Sequence, residues 1–152
     1  MEAGQVRLEQ LRDVLAEEDP RGILLLDPSE GAEMYFKYQG SLCIAYLPGE
    51  VTRESQIRRA RHSVKTGEAL VMSLGAGSQD LMSFFDPTSF PEELLNRDLL
   101  TTLVLDPLKT GPDEPLYCHA DFRFVVLLST YEVPEWARRL VEADRLRTIK
   151  VV

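Results

Sequence analysis

The sequence predicts an α/β protein with a parallel sheet of five strands and helices on both faces. Short unbroken apolar runs, typical of strands buried on both faces, recur along the chain, as at residues 22–26. Helical segments alternate with these runs, and the connections are only a few residues long. The chain has 152 residues, of which 44% are hydrophobic, which suits one compact domain.

The predicted elements follow from periodicity and from residues that begin or end helices. Asp27 with Pro28 is typical of a helix start, Thr52 can cap a helix, and Gly67 suits a left-handed helix end. The predicted strands are residues 22–27, 41–47, 69–74, 121–130 and 148–152, and the predicted helices are residues 6–17, 27–38, 52–65 and 134–144. Short helical pieces on either side of Pro87 and a short strand at residues 103–105 are also expected. We assign residues 1–20 to an N-terminal helix and residues 21–152 to the α/β domain.

Charge and hydropathy exclude some functions. The formal net charge is −8, and residues 66–121 account for it, with ten acidic and two basic side chains. This balance opposes nucleic-acid binding, which needs a basic face. No apolar run is long enough for a membrane helix and the N-terminus does not resemble a signal peptide, so we expect a soluble intracellular protein. The one basic run, residues 58–65, is either a docking face or a solvated helix face, and the spacing of Ile57, Ala60 and Val64 favours the latter.

Few residues suggest catalysis. Cys118, His119 and Asp121 are close in sequence, but neighbouring strand residues face opposite ways and catalytic triads usually converge from distant segments. A zinc site formed by Cys43, Cys118, His62 and His119 lacks the short spacings of zinc motifs. Buried, reduced cysteines are therefore expected. We predict no catalytic residue, no metal and no cofactor.

The turn after the first predicted strand differs from a phosphate-binding loop. Such a loop brings backbone N–H groups and a lysine ammonium to phosphate at a helix N-terminus. Here the turn has no lysine and instead carries Asp27 and Glu30, whose carboxylates would repel phosphate.

Three segments carry a resemblance to a known family. They are LLLDPSEGAEMYFKY from Leu24, IRRARHSVKTGEALVMSLG from Ile57 and HADFRFVVLLST from His119. Together they resemble the AAA modules of dynein heavy chains, and especially the fifth module of that ring, which holds no nucleotide. The chain is also similar to the C-terminal region of proteins that combine ankyrin repeats with an IQ motif. The resemblance covers residues 21–152 and implies a P-loop NTPase-type sheet with strand order 5-1-4-3-2.

The resemblance also implies where nucleotide chemistry would have been. The Walker A position falls on Asp27, Pro28, Ser29, Glu30 and Gly31, without lysine. The Walker B position falls on Met72 and Ser73, where an aspartate and a glutamate would serve Mg²⁺ and water, and the sensor position falls on Ser129 and Thr130. The chain ends after the fifth strand, so the helical lid of active AAA modules is expected to be missing.

These observations predict a non-catalytic, AAA-like scaffold or protein-interaction module that cannot hydrolyse ATP. The expected partners are proteins of unknown identity or neighbouring domains of a longer chain, with no nucleic acid and no membrane. The expected location is cytoplasmic, ciliary or cytoskeletal. Three alternatives stay open at this stage: nucleotide binding without hydrolysis, a mechanical coupling element of a dynein-type motor ring, and a hydrolase of unrecognised type using Asp27, Ser73, Ser129 and Thr130 at the strand ends.

Overall fold

The computed structural model describes residues 4–40, 42–44, 52–109 and 115–152. Its centre is one sheet whose strands all run parallel, in the order β1-β6-β2-β5-β4-β3. The strands are Gly4–Val6 (β1), Gly22–Leu26 (β2), Leu42–Ile44 (β3), Ala69–Ser73 (β4), Arg123–Leu128 (β5) and Leu146–Val151 (β6). The predicted α/β class is confirmed, and β2 to β6 follow the expected strand order.

A sixth strand at one edge of the sheet is absent from the prediction. β1 pairs in parallel with β6, with Gly4 opposite Ile149 and Val6 opposite Val151. Its three residues are too few to show a strand periodicity, so only the tertiary partner reveals it. Residues 6–17, predicted as one helix, therefore contain the end of β1, a 3₁₀ turn at Leu8–Gln10 and a shorter helix.

In the described part of the chain, four helices cover the two faces of the sheet. They are Leu11–Leu15 (α1), Gly31–Gln39 (α2), Arg53–Thr66 (α3) and Glu135–Glu142 (α4). Leu11 of α1 and Phe36 of α2 pack against one face, whereas Ala60 of α3 and Leu140 of α4 pack against the other. The central strands β2 and β5 are buried along their whole length, as their apolar composition predicts.

Other predicted boundaries also differ from the structure. The segments predicted at 121–130, 134–144 and 148–152 are Arg123–Leu128, Glu135–Glu142 and Leu146–Val151. α2 begins at Gly31, not at Asp27, because residues 27–30 form a turn before the helix. The predicted strand at residues 103–105 is wrong: Leu105 N–H donates to the Thr101 carbonyl, and a 3₁₀ turn follows at Asp106–Leu108. Of the predicted strand at residues 41–47, only Leu42–Ile44 lies within the described residues, and the turn predicted at Pro48 and Gly49 lies outside them.

The segment between β4 and β5 covers the face of the sheet that carries α3 and α4. Its described residues include four 3₁₀ turns, at Leu81–Phe84, Glu92–Leu95, Arg97–Leu99 and Asp106–Leu108. Leu94 and Leu105 from this segment are almost fully buried, and Phe85 stacks on Phe90 with ring centroids 5.3 Å apart. The segment is thus a packed layer of the core, stabilised by apolar burial rather than by long helices.

A buried arginine at the start of β5 holds the segment after α1 against the sheet. Arg123, at the start of β5, is only 3% exposed, and its guanidinium donates to the carbonyls of Leu15, Glu17 and Asp19. Burial lowers the pKa of Arg123, and the nearby Arg97 and Arg147 lower it further. Asp19 accepts hydrogen bonds from Arg21, which lowers the pKa of that carboxyl group to about 2. The bonds from Arg123 thereby fix the segment after α1 against the start of β5.

The connection from α3 to β4 depends on a glycine against a histidine ring. Thr52 caps α3 by accepting from Ser55 N–H at 3.1 Å, and Gly67 ends it with φ of +83°, both as predicted. The His119 ring lies directly against Gly67, and His119 N–H donates to the Val64 carbonyl at 2.7 Å. A Cβ on residue 67 would lie 2.5 Å from His119 Nδ1, which is too close for unaltered packing.

We predict that Gly67→Ala destabilises the fold more than Gly40→Ala. Both glycines have positive φ, but a Cβ at Gly40 meets open space. The left-handed backbone alone costs an alanine about 1 kcal/mol, and the clash at residue 67 raises the loss to about 3 kcal/mol. Urea unfolding of the two variants measures the difference, and equal losses would contradict the His119 contact.

Candidate functional site

The residues singled out from the sequence lie at the carboxyl ends of three neighbouring strands. Asp27 directly follows β2, Ser129 directly follows β5, and Ser73 is the last residue of β4. Leu26 pairs with Leu128 and Ser73 pairs with Leu127, so the three ends are nearly level. Parallel α/β sheets generally bind ligands at this edge. The topology therefore brings these predicted positions to one edge.

The Asp27 carboxylate occupies the N-terminus of α2. This side chain is 1% exposed, and its Oδ2 accepts from Ala32 N–H at 2.6 Å. Its Oδ1 accepts from the Ser29 N–H at 3.1 Å and from the Ser29 hydroxyl at 2.6 Å. The Ser29 oxygen in turn accepts from Gly31 N–H at 3.3 Å. Two of the free N–H groups in the first turn of α2 are thus bonded to side chains of the preceding turn.

This arrangement places a negative charge of the protein itself where a helix N-terminus favours an anion. The helix dipole and the free N–H groups stabilise a carboxylate as they would stabilise a phosphate. Glu30, beside the first residue of α2, has a left-handed backbone with φ of +62°. The turn at residues 27–31 therefore closes on Asp27, with Pro28 and Glu30 on its outer side.

Ser73 and Met72 face opposite sides of β4. Ser73 is 2% exposed and its hydroxyl donates to Glu33 Oε1 of α2 at 2.6 Å. Met72 is 1% exposed and belongs to the core on the face covered by α3 and α4. The contact between Glu33 and Ser73 was not predicted, because Glu33 looks like an ordinary acidic residue of a first helical turn. The only available signal was its place two residues after the start of a helix that follows a strand end.

Ser129 and Thr130 take part in backbone contacts of the same edge. Ser129 N–H donates to the Gly75 carbonyl at 2.8 Å, and the Thr130 hydroxyl oxygen accepts from Glu132 N–H at 3.0 Å. The glycine turn after β4 is closed by α4, since Trp136 Nε1 donates to the Gly77 carbonyl at 2.9 Å. Trp136 thus positions this turn, a role that the sequence alone did not indicate.

Cys118, His119 and Asp121 form a structural connection. His119 Nδ1 accepts from Asp121 N–H at 3.0 Å, and the Cys118 thiol contacts the His119 carbonyl at 3.4 Å. Burial raises the pKa of the Cys118 thiol to about 11. A thiol needs a lowered pKa to act as a nucleophile at neutral pH, so this geometry does not support nucleophilic catalysis. The side chain of Cys43, the other candidate cysteine, lies outside the described part of the structure.

Within the described ranges, no three His, Cys, Asp or Glu side chains are arranged to hold a metal ion. Over the same ranges, no helix is both long and apolar enough to span a bilayer.

Comparison of the chain with protein-family models, curated proteins and solved structures finds no significant match. The contacts at the strand ends and the resemblance of the sequence are therefore the observations that bear on function.

We predict that Asp27→Ala destabilises the protein by about 3 kcal/mol, because three donors lose a charged acceptor and Ala32 N–H stays buried. Asp27→Asn keeps one acceptor oxygen of similar shape and is expected to lose about half as much. Chemical denaturation of both variants tests this order. A loss below about 0.5 kcal/mol for Asp27→Ala would show that the carboxylate does not hold α2.

We also predict slow alkylation of Cys118 in the native protein. In a Cys43→Ser background at pH 8, iodoacetamide should react about 100-fold more slowly than with the unfolded chain, because a pKa of about 11 leaves little thiolate. The rate should rise about tenfold per pH unit until the pH passes the thiol pKa. Equal rates in native and unfolded protein would contradict the buried thiol.

Proposed function

We propose that the chain is a non-catalytic, AAA-like scaffold or protein-interaction module that neither binds nor hydrolyses ATP. The observation that carries the proposal is the buried Asp27 carboxylate at the N-terminus of α2, bonded to Ala32 N–H at 2.6 Å. In the alignment suggested by the resemblance, this is the Walker A position. An internal anion there takes the place that a β-phosphate needs.

Electrostatic repulsion strengthens the argument against triphosphate binding. Asp27 and Glu33 both lie at this edge, and Glu30 adds a third carboxylate in the turn between them. Lys150, on β6 beside the end of β2, directs its ammonium at the Tyr131 ring, 5.6 Å from the ring centre. A bound triphosphate would have to displace a buried hydrogen-bonded carboxylate and then lie beside its charge, which is costly in a partly desolvated site.

The contacts at Ser73 support the absence of hydrolysis. Phosphoryl transfer depends on positioned charges and on Mg²⁺ held by acidic side chains. At the Walker B position this chain has a serine that donates to Glu33, and a methionine buried in the core. The Thr130 hydroxyl at the sensor position accepts from Glu132 N–H. The Ser73 and Thr130 hydroxyls are thus both used in hydrogen bonds within the protein, which suits a structural role better than a catalytic one.

The resemblance extends the proposal to the neighbours of the module and to its location in the cell. A nucleotide-free module of a dynein-type ring offers rigid surfaces to neighbours, so a scaffolding or coupling role beside cytoskeletal proteins, in the cytoplasm or cilium, belongs to the same proposal. Its physical requirement is rigidity, which the fully buried β2 and β5 and the capped α2 supply.

We predict that ATP or ADP with Mg²⁺ at about 5 mM changes the melting temperature by less than about 1 °C relative to sodium chloride of equal ionic strength. A ligand at 100 times its dissociation constant would stabilise by about 2.7 kcal/mol, which shifts the melting temperature by several degrees in a domain of this size. Saturable stabilisation by nucleotide would overturn the proposal.

A turnover assay separates the scaffold from a hydrolase at the strand ends. Phosphate release from ATP and from simple phosphoesters is compared between the wild-type chain and Ser73→Ala, with Ser83→Ala, an exposed serine that donates to the Asp80 carbonyl, as the matched control. We expect no phosphate release above the buffer background from any of the three proteins. Turnover that is lost in Ser73→Ala alone would establish an enzyme at this edge.

A further inference from the structure

Helix α3 presents a surface of unusually positive charge for so acidic a chain. It contains five basic side chains and one acidic side chain, a net charge of +4 in a protein of net charge −8. Gln56, Ala60, Ser63 and Val64 face the core, whereas Arg58, Arg59, His62 and Lys65 are exposed. Like charges three and four residues apart destabilise a helix, and packing does not require them. We call this surface the basic lobe, residues 53–65.

The basic lobe has a cleft of about 480 Å³. Arg53, Glu54, Ile57, Arg58 and Arg61 line it, so three basic side chains face one acidic side chain there. Arg61 donates to the Leu108 carbonyl and Arg53 donates to the Phe84 carbonyl, and both bonds are to neutral acceptors. These bonds fix the two guanidinium groups through backbone carbonyls, not through carboxylates. Among the described residues, Arg58 has no ion pair within 4.0 Å.

A second surface carries the opposite charge. Three carboxyl groups, those of Asp86, Glu92 and Glu93, lie together in the segment between β4 and β5. We call this surface the acidic lobe. It also has a cleft, of about 290 Å³, lined by Met82, Phe85, Asp86, Glu92 and Glu93 among others. Hydrogen bonds from Thr88 lower the pKa of Asp86, and Arg53 adds to this effect, so the carboxylate stays ionised at neutral pH.

The two lobes adjoin each other on one side of the molecule. Arg53, at the start of α3, bonds to Phe84, which precedes the acidic cleft, at 2.9 Å. Ile57 of the basic lobe and both Met82 and Phe85 of the acidic lobe pack on the same hydrophobic core. The result is one continuous surface whose halves carry opposite charges, each with a cleft lined partly by apolar side chains.

We propose that this surface is a dimer interface between two copies of the chain. A surface divided into a basic and an acidic half is self-complementary about a two-fold axis, since each half then meets its opposite on the other copy. The pairing sets Arg58 of each copy against the acidic cleft, near Glu93, of the other. The opposite charges fix how the two copies are aligned. The apolar side chains that line the clefts are removed from water when the copies meet.

A second copy fits this surface better than nucleic acid or an acidic partner protein. Either of those would meet the basic lobe but would be repelled by the adjoining acidic lobe and by the overall charge of −8. A second copy alone, of these three, satisfies both lobes at once. The inference goes beyond the proposed function, and it would survive the discovery of nucleotide binding at the turn of residues 27–31.

The experiment exchanges charges between the lobes and measures mass in solution by light scattering. Wild-type protein is expected to have twice its monomer mass of 17.2 kDa. That mass should hold at about 0.02 M salt and fall toward the monomer at about 0.5 M salt, where screening shortens to about 4 Å. Arg58→Glu and Glu93→Lys should each be monomeric at low salt, because each places like charges opposite each other. Arg12→Glu and Glu9→Lys, on exposed residues beside the other sheet face, are the matched controls and should dimerise as the wild type does.

Mixing the two monomeric variants gives the decisive result. In a mixed pair, the glutamate introduced at position 58 of one copy meets the lysine introduced at position 93 of the other, and the unchanged Arg58 meets the unchanged Glu93. The mixture should therefore regain the dimer mass, which misfolded variants could not do. A monomeric wild type at low salt, dimers of either single variant, or a mixture that stays monomeric would each overturn the proposal.

Discussion

The junction between β2 and α2 depends on the hydrogen bonds that the buried carboxylate of Asp27 accepts. Asp27 lies one residue beyond β2 and bonds to the first turn of α2, so it joins strand, turn and helix through a single side chain. The direction of α2 then brings Glu33 to Ser73 at the end of β4. Through α2 these hydrogen bonds link the ends of β2 and β4, which lie on either side of β5. In the proposed function, the charge of this carboxylate is what repels phosphate.

The residues that sequence reasoning located correctly are those whose local chemistry decides their structure. Thr52 caps α3 and Gly67 ends it because a hydroxyl acceptor and a left-handed glycine act within one helical turn. Buried parallel strands were likewise evident from unbroken apolar runs. Asp27 accepts a hydrogen bond from an N–H of the first helical turn, as predicted for a helix cap, although the helix starts four residues later.

The features that sequence reasoning missed depend on contacts between distant segments. β1 exists because β6 offers an edge, and Arg123 is buried because three carbonyls more than 100 residues away in sequence accept its protons. The residues around Leu105 have strand-like composition but form turns, since they pack as a layer over the sheet. Glu33 and Trp136 likewise acquire roles only when strand order places Ser73 and Gly77 beside them.

Chemical shifts of backbone amides under titration test the central claim most directly. In a ¹⁵N-labelled sample, the Gly31 and Ala32 amide signals are followed as Mg²⁺ with ATP is added, and then in Asp27→Asn without nucleotide. If Asp27 occupies the anion position, nucleotide leaves both signals unchanged and the substitution moves the Ala32 signal strongly. Saturable movement of these two amides with ATP in the wild-type protein would contradict the account, because it would place phosphate where the carboxylate is bonded.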